Sequence, residues 1–239
     1  MPSLERRATI EGLGTAILLT AIVGSGIMAE RLSGGSAAIE LLANSIATGA
    51  VLLCLIGALG PISGAHLNPA VSIADALQGG LPWVEVPAYV AAQIAGAIAG
   101  VAAANMMFGL PLFFISHRAR AGIPELFAEF VATFGLLFVI WGCVRFRSSI
   151  VPFAVASYIV GAYWFTSSTS FANPAVTIAR TLSDTFSGIR PIDAPGFIVA
   201  ELLGAVAATG LFAWLVPVSK RDAQAVLLPH QTSENAREV

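Results

Sequence analysis

Charge is what this chain has least of. Of its 239 residues, 11% are Asp, Glu, Lys or Arg, while 56% are hydrophobic. An ordinary soluble domain carries about 25% charged residues, so the shortage excludes a surface solvated by water all round. The formal net charge of -2 says little, since the charges lie in loops and tails, and no nucleic-acid partner is expected. Cysteine is nearly absent. Cys54 and Cys143 both sit in apolar segments and read as packing residues, not a disulfide. The three histidines, His66, His117 and His230, are scattered. No metal-ligand spacing, nucleophile–base pair or phosphate loop is present. No catalytic residue, metal or cofactor is therefore expected, and an enzyme is disfavoured. Nothing reads as a cleaved signal peptide, because the first apolar segment follows Arg6 and Arg7 directly and is long enough to span.

What fills the chain is long uncharged runs. Residues 12–29, 41–65, 86–116, 148–179 and 202–219 hold no Asp, Glu, Lys or Arg. A sixth run, 124–144, is broken only by Glu125 and Glu129. A helix crossing a bilayer needs roughly 20 mostly apolar residues. The pattern predicts an all-α membrane protein with spans at 8–30, 38–60, 83–108, 124–144, 149–167 and 195–217. Two apolar pieces, 68–78 and 173–183, are too short to cross. Residues 220–239 read as a polar tail. The whole chain, 1–239, is expected to form a single domain of two half-repeats, about 8–108 and 124–217.

Each half has three spans and one short piece, which marks an internal repeat. An odd number of spans inverts the second half relative to the first, about a pseudo-two-fold axis in the membrane plane. The first span of each half carries a carboxylate and a threonine one helical turn apart, Glu11 with Thr15 and Glu129 with Thr133. Both termini are expected in the cytoplasm. That orientation gives the inner face Arg6, Arg7, Arg145, Arg147, Lys220, Arg221 and Arg237, against Arg31, Arg118, Arg120 and Arg190 outside.

The short pieces carry the functional signal. Residues 68–75 read NPAVSIAD and residues 173–180 read NPAVTIAR. Asn is a good helix N-cap and Pro suits the first helical position, so Asn68-Pro69-Ala70 and Asn173-Pro174-Ala175 should each open a short helix. Irregular backbone at membrane depth is tolerated only against protein or a water-filled cavity. Inversion brings the two helices in from opposite faces, N-terminus to N-terminus, with both asparagines facing one lumen. Each N-terminus carries roughly +0.5 charge. Two of them about 5 Å from a cation, at an effective dielectric of ~20, oppose it by about 3 kcal/mol. Uncharged hydroxyl solutes and water escape that penalty.

The paired NPA boxes, the SGAHLNPAV loop and the Glu in the first span of each half resemble the aquaporin and aquaglyceroporin family, the major intrinsic proteins, over about residues 8–218. The resemblance implies six tilted helices, two half-membrane helices and a homotetramer with one pore per subunit. It implies that the carbonyls of Gly64, Ala65, His66, Thr169, Ser170 and Phe171 form an acceptor ladder, and that Glu11 and Glu129 brace those loops. Aligned on the NPA boxes, the family's filter falls on Thr48, Gly161, Ser170 and Val176. Val176 stands where most members have Arg. No ring and no guanidinium narrows such a filter, which is therefore expected to be wide. Arg180, one turn beyond Val176, would guard the outer mouth or else cap its helix or pair with Asp184, and Asp75 would be its opposite-sign counterpart on the inner side.

A filter of this kind is similar to a bacterial branch linked to arsenic resistance. The expected function is a passive channel in the bacterial inner membrane for water, glycerol, arsenite or methylated arsenicals. A water-selective pore, or a coupled secondary transporter, is the alternative. Against the transporter, Glu11 and Glu129 have bracing roles, and Glu125 and Glu201 lie near the ends of predicted spans, leaving no ion site. A purely structural junction protein is disfavoured by the polar, glycine-rich loops. Gly57, Gly96, Gly100 and Gly204 read as helix contacts. Trp83, Trp141, Trp164 and Trp214 read as interfacial anchors.

Overall fold

The computed structural model describes residues 2–216; the polar tail expected at 220–239 lies outside them. Among the described residues the chain is helical, with no strand. In chain order the helices are α1 (Leu4–Leu32), α2 (Ala37–Ser63), α3 (Pro69–Gln78), α4 (Val86–Met107), α5 (Ile123–Phe146), α6 (Val151–Phe165), α7 (Pro174–Arg180) and α8 (Ala194–Leu215). A 3-10 turn, Ser148–Ile150, leads into α6. Six helical segments are long and apolar enough to cross a membrane, α6 together with its leading turn among them. The other two, α3 with 10 residues and α7 with 7, reach about 15 and 10 Å at 1.5 Å per residue. Neither can cross a core about 30 Å thick.

The surface reverses the soluble-protein rule. Leu13, Ile17, Phe127, Phe153 and Leu203 are exposed, while Glu11, Gln93, Glu129 and Glu201 are fully buried. Lipid is the solvent such a surface fits, and the polar groups are gathered inside, where they pair with one another.

Contacts between helices repeat when each number is raised by four. Helix α1 packs on α4 as α5 packs on α8, and α1 on α2 as α5 on α6. The same exchange turns α4 on α7 into α8 on α3. Close helix approach depends on small residues. A Cβ at Gly96 or Gly100 would collide with the backbone carbonyl of Gly12 or Ala16 on α1. Gly204 sits equally tight against the Phe130 carbonyl of α5, which a Cβ would meet at 2.5 Å. Gly57 has open space around it and makes no such contact. Of the tryptophans, Trp83, Trp164 and Trp214 are exposed. Trp141 is instead buried and donates from Nε1 to Thr209 Oγ1 at 3.1 Å.

Gly96→Ala should cost about 1–3 kcal/mol by overpacking and lower the midpoint of thermal unfolding in detergent. An unchanged midpoint would mean that α1 and α4 can part freely.

Candidate pore

Two loops turn back at membrane depth, 64–68 and 169–173, and they are conformational copies. Gly64, Ala65 and Leu67 have φ of 91°, 47° and 51°; Thr169, Ser170 and Ala172, their equivalents, have 63°, 51° and 48°. Only Gly adopts such left-handed angles freely, so five non-glycine residues need an external restraint. Two buried carboxylates supply it. Glu11 Oε1 accepts from the His66 N–H at 3.0 Å and Oε2 from the Leu67 N–H at 2.6 Å. Glu129 accepts from the Phe171 N–H at 2.9 Å and the Ala172 N–H at 2.8 Å.

At the end of each loop an asparagine caps a half-helix. Asn68 Oδ1 accepts from the Ala70 N–H at 2.9 Å, and Asn173 Oδ1 from the Ala175 N–H at 3.0 Å. With the oxygen committed to the helix, the amide nitrogens are turned outward and cross. Asn68 Nδ2 donates to the Ala172 carbonyl at 2.7 Å, and Asn173 Nδ2 donates to the Leu67 carbonyl at 2.8 Å. Each amide has two N–H groups, so one per asparagine is left over. The pair therefore meets a solute oxygen as donors only.

Both asparagines border a narrow cavity of about 60 Å³. A water needs about 10–15 Å³ on that measure, so a short file fits. One side of the cavity is apolar, built by Leu18, Ile22, Leu52, Ile56, Leu136, Ile140, Val155 and Ile159. The other side is the two loops: Ala65, His66, Leu67 and Asn68, then Ser170, Phe171, Ala172 and Asn173. Gly64 and Thr169, placed in the carbonyl ladder by sequence, do not border this cavity.

Thr48, Ser170 and Val176 lie on the cavity wall, but Gly161 does not. Gly161 is on the exposed outer side of α6. The wall is built instead by Val155, Ile159 and Tyr163, spaced four apart along one face of α6. A residue two positions from that stripe points about 200° away. Tyr163 is the wall residue that the sequence did not reveal, and its hydroxyl lies 3.2 Å from Thr48 Oγ1.

Arg180 also borders the cavity, although it is 1% exposed. A ring and a guanidinium are thus present, against the sequence expectation. The Arg180 Nε donates to the Ser187 carbonyl. Its guanidinium carbon lies 3.4 Å from the Phe171 ring centroid, a stacked cation–π contact. Nη1 is buried without a partner, as is Ser170 Oγ. Asp184 is engaged elsewhere, accepting from the His117 N–H at 2.9 Å. That backbone bond first, and the His117 side chain second, hold its carboxyl below the ordinary range. Asp75, the counterpart of Arg180, is buried away from the cavity with Oδ2 3.5 Å from His66 Nε2. Each half-helix thus carries, at the seventh position after its Asn cap, a residue that touches its own pore loop: a carboxylate against His66 in one half and a guanidinium against Phe171 in the other.

Arg120 was also missed as a functional residue. It enters from the 110–122 segment and donates to the carbonyls of Gly188 at 2.9 Å and Ser168 at 3.0 Å. Its guanidinium carbon lies 5.1 Å from the centroid of the same Phe171 ring. Burial lowers its affinity for a proton from the usual guanidinium value.

A fold of six spans with two half-helices meeting nose to nose at a shared cavity is that of a membrane channel. The Major intrinsic protein family profile matches residues 2–168 and 145–238, and the chain belongs to that family. It is 54% identical over 213 residues to "Aquaglyceroporin AqpS" of Rhizobium meliloti, covering 89% of this chain and 91% of that one. It is 33% identical to "Glycerol uptake facilitator protein" of Streptococcus pneumoniae over 63% of this chain and 70% of the other. The solved aquaglyceroporin from Plasmodium falciparum shares the fold with a TM-score of 0.69, at 22% identity, over 90% of this chain and 98% of that one. The protein is a passive, multi-pass membrane channel and not an enzyme.

Asn173→Asp would place a full negative charge beside the two helix N-termini, which at ~5 Å and a dielectric of ~20 offsets their roughly 3 kcal/mol opposition to a cation. Potassium currents in planar bilayers should then rise steeply. Currents equal to wild type would place the cation barrier away from the asparagines.

Proposed function

We propose that this channel passes water, glycerol and other small uncharged polyhydroxyl solutes, with arsenite and methylated arsenicals among them. The observation that carries this reading is the two-sidedness of the cavity. A polyol has a carbon edge and a hydroxyl edge. The first matches the aliphatic wall from Leu18 to Ile159, and the second matches the ribbon of loop carbonyls and asparagine N–H groups. A pore for water alone gains nothing from so much apolar wall. Arsenite is uncharged at neutral pH and presents three hydroxyls in the manner of a polyol.

In this reading Thr48, Tyr163, Ser170 and Val176 form the filter. Val176 leaves open the space that an Arg would fill. Arg180 offers its unpaired Nη1 at that end of the cavity. The carbonyls of Ala65, His66, Ser170 and Phe171 accept from the passing solute. The chain works as one unit of two half-repeats and assembles as a homotetramer in the bacterial inner membrane. Both termini are cytoplasmic, so that Arg180 faces outward. The similarity to an aquaglyceroporin and to a glycerol uptake facilitator supports the solute class.

Stopped-flow swelling and uptake in proteoliposomes should show glycerol, arsenite and methylarsenate entering together with water, insensitive to proton and sodium gradients. Water entry without any of the three would establish a water-selective pore. Flux that follows an imposed ion gradient would establish a coupled carrier.

Val176→Arg should suppress glycerol and arsenite uptake while sparing water. Equal solute uptake by the variant would remove position 176 from the constriction.

A further inference from the structure

The two halves brace their pore loops on one plan, but the side chain behind the bracing carboxylate differs. In the first half Gln93 Nε2 donates to Glu11 Oε2 at 2.8 Å and to Ser72 Oγ at 2.9 Å. The neutral amide thereby ties the bracing carboxylate to the half-helix. Helix register fixes the equivalent position in the second half. Gly96 meets the Gly12 carbonyl as Gly204 meets the Phe130 carbonyl, and Gly12 and Phe130 each directly follow their bracing glutamate. Three residues before Gly96 is Gln93; three before Gly204 is Glu201. The hydroxyl partner carries over too, since Thr177, the equivalent of Ser72, donates to Glu201 Oε1 at 2.6 Å.

Glu201 is therefore no residue of a span end. It is fully buried, on the eighth residue of α8, and the repeat sets its carboxyl beside that of Glu129, as Gln93 lies beside Glu11. Two adjacent carboxylates without water cannot both be ionised. The hydrogen bonds decide between them. Both Glu129 oxygens accept backbone N–H groups, which favours its charged form. Glu201 Oε2 is buried with no donor to it, as befits an oxygen that bears a hydrogen itself.

We propose that Glu201 is a neutral carboxylic acid at physiological pH and donates its proton in a hydrogen bond to Glu129, so acting as a positioning residue for the second pore loop in the place that Gln93 holds in the first. The charged groups around the pair are Arg180 from α7, Arg120 from the 110–122 segment and Glu125 at the start of α5, with the Tyr163 hydroxyl on α6. A pair holding one proton carries a single negative charge against those two guanidiniums.

Infrared spectroscopy of the purified channel in lipid tests this independently of which solute passes. The wild type at neutral pH should show a C=O band of a buried protonated carboxyl that is lost in Glu201→Gln. Glu201→Gln should keep wild-type water flux, because an amide supplies the same donor. Glu201→Leu should lose flux or fail to assemble, since Thr177 and Glu129 are both left without their partner. A wild-type spectrum with no band removed by Glu201→Gln, or a Glu201→Gln channel that loses water flux as Glu201→Leu does, would overturn the proposal.

Discussion

Two crossed hydrogen bonds, Asn68 to the Ala172 carbonyl and Asn173 to the Leu67 carbonyl, hold the centre of this molecule. Each asparagine caps its own half-helix with its oxygen and reaches across to the other half's loop with its nitrogen. The amide orientation is thereby dictated twice over. Seating two positive helix ends against each other in a low-dielectric setting is unfavourable by itself. The crossing bonds, the Glu11 and Glu129 braces behind the loops, and the packed flanks of α3 and α7 offset that cost. The repulsion left in the lumen is what a cation meets there.

Around this symmetric centre the side chains differ between the halves. Where the first half has Asp75 against His66 and a neutral Gln93 behind Glu11, the second has Arg180 against Phe171 and Glu201 behind Glu129. The backbone scarcely distinguishes them, as the matched left-handed angles show. One scaffold thus presents two chemically distinct ends to a solute. The end near Val176 is crowned by a stacked guanidinium, and the end near Ala65 by an imidazole.

Much of this was legible in the residue order. Long charge-free runs gave the six spans, because lipid imposes a length. The repeated Asn-Pro-Ala gave two helix starts, because caps have local chemistry. Glu11 and Glu129 stood out as lone carboxylates inside apolar runs. Rotation and depth were harder to read. Counting from the NPA boxes placed Gly161 on the wall, but the phase of α6 is set by how Val155, Ile159 and Tyr163 pack on its neighbours. Glu201 reads as lying near a span end, but the expected start at 195 is within one residue of the observed Ala194, so what the sequence does not show is which face Glu201 occupies and that it is buried there. Arg120 looks like a surface charge, since nothing local announces that distant loops will fold their carbonyls around it.

The half-helices are shared between the halves. Ala70, Val71 and Ala74 of α3 are buried among residues of α5, α6 and α8. Ala175, Val176 and Ala179 of α7 are buried among residues of α1 and α4. Each short helix is wedged between the halves, α3 between α4 and α8 and α7 between α8 and α4. A half-length chain would need a sibling threaded through the bilayer in the opposite sense, each lending the other its plug. Gene fusion of such a mutual pair would make permanent an arrangement that two separate chains could reach only by meeting upside down.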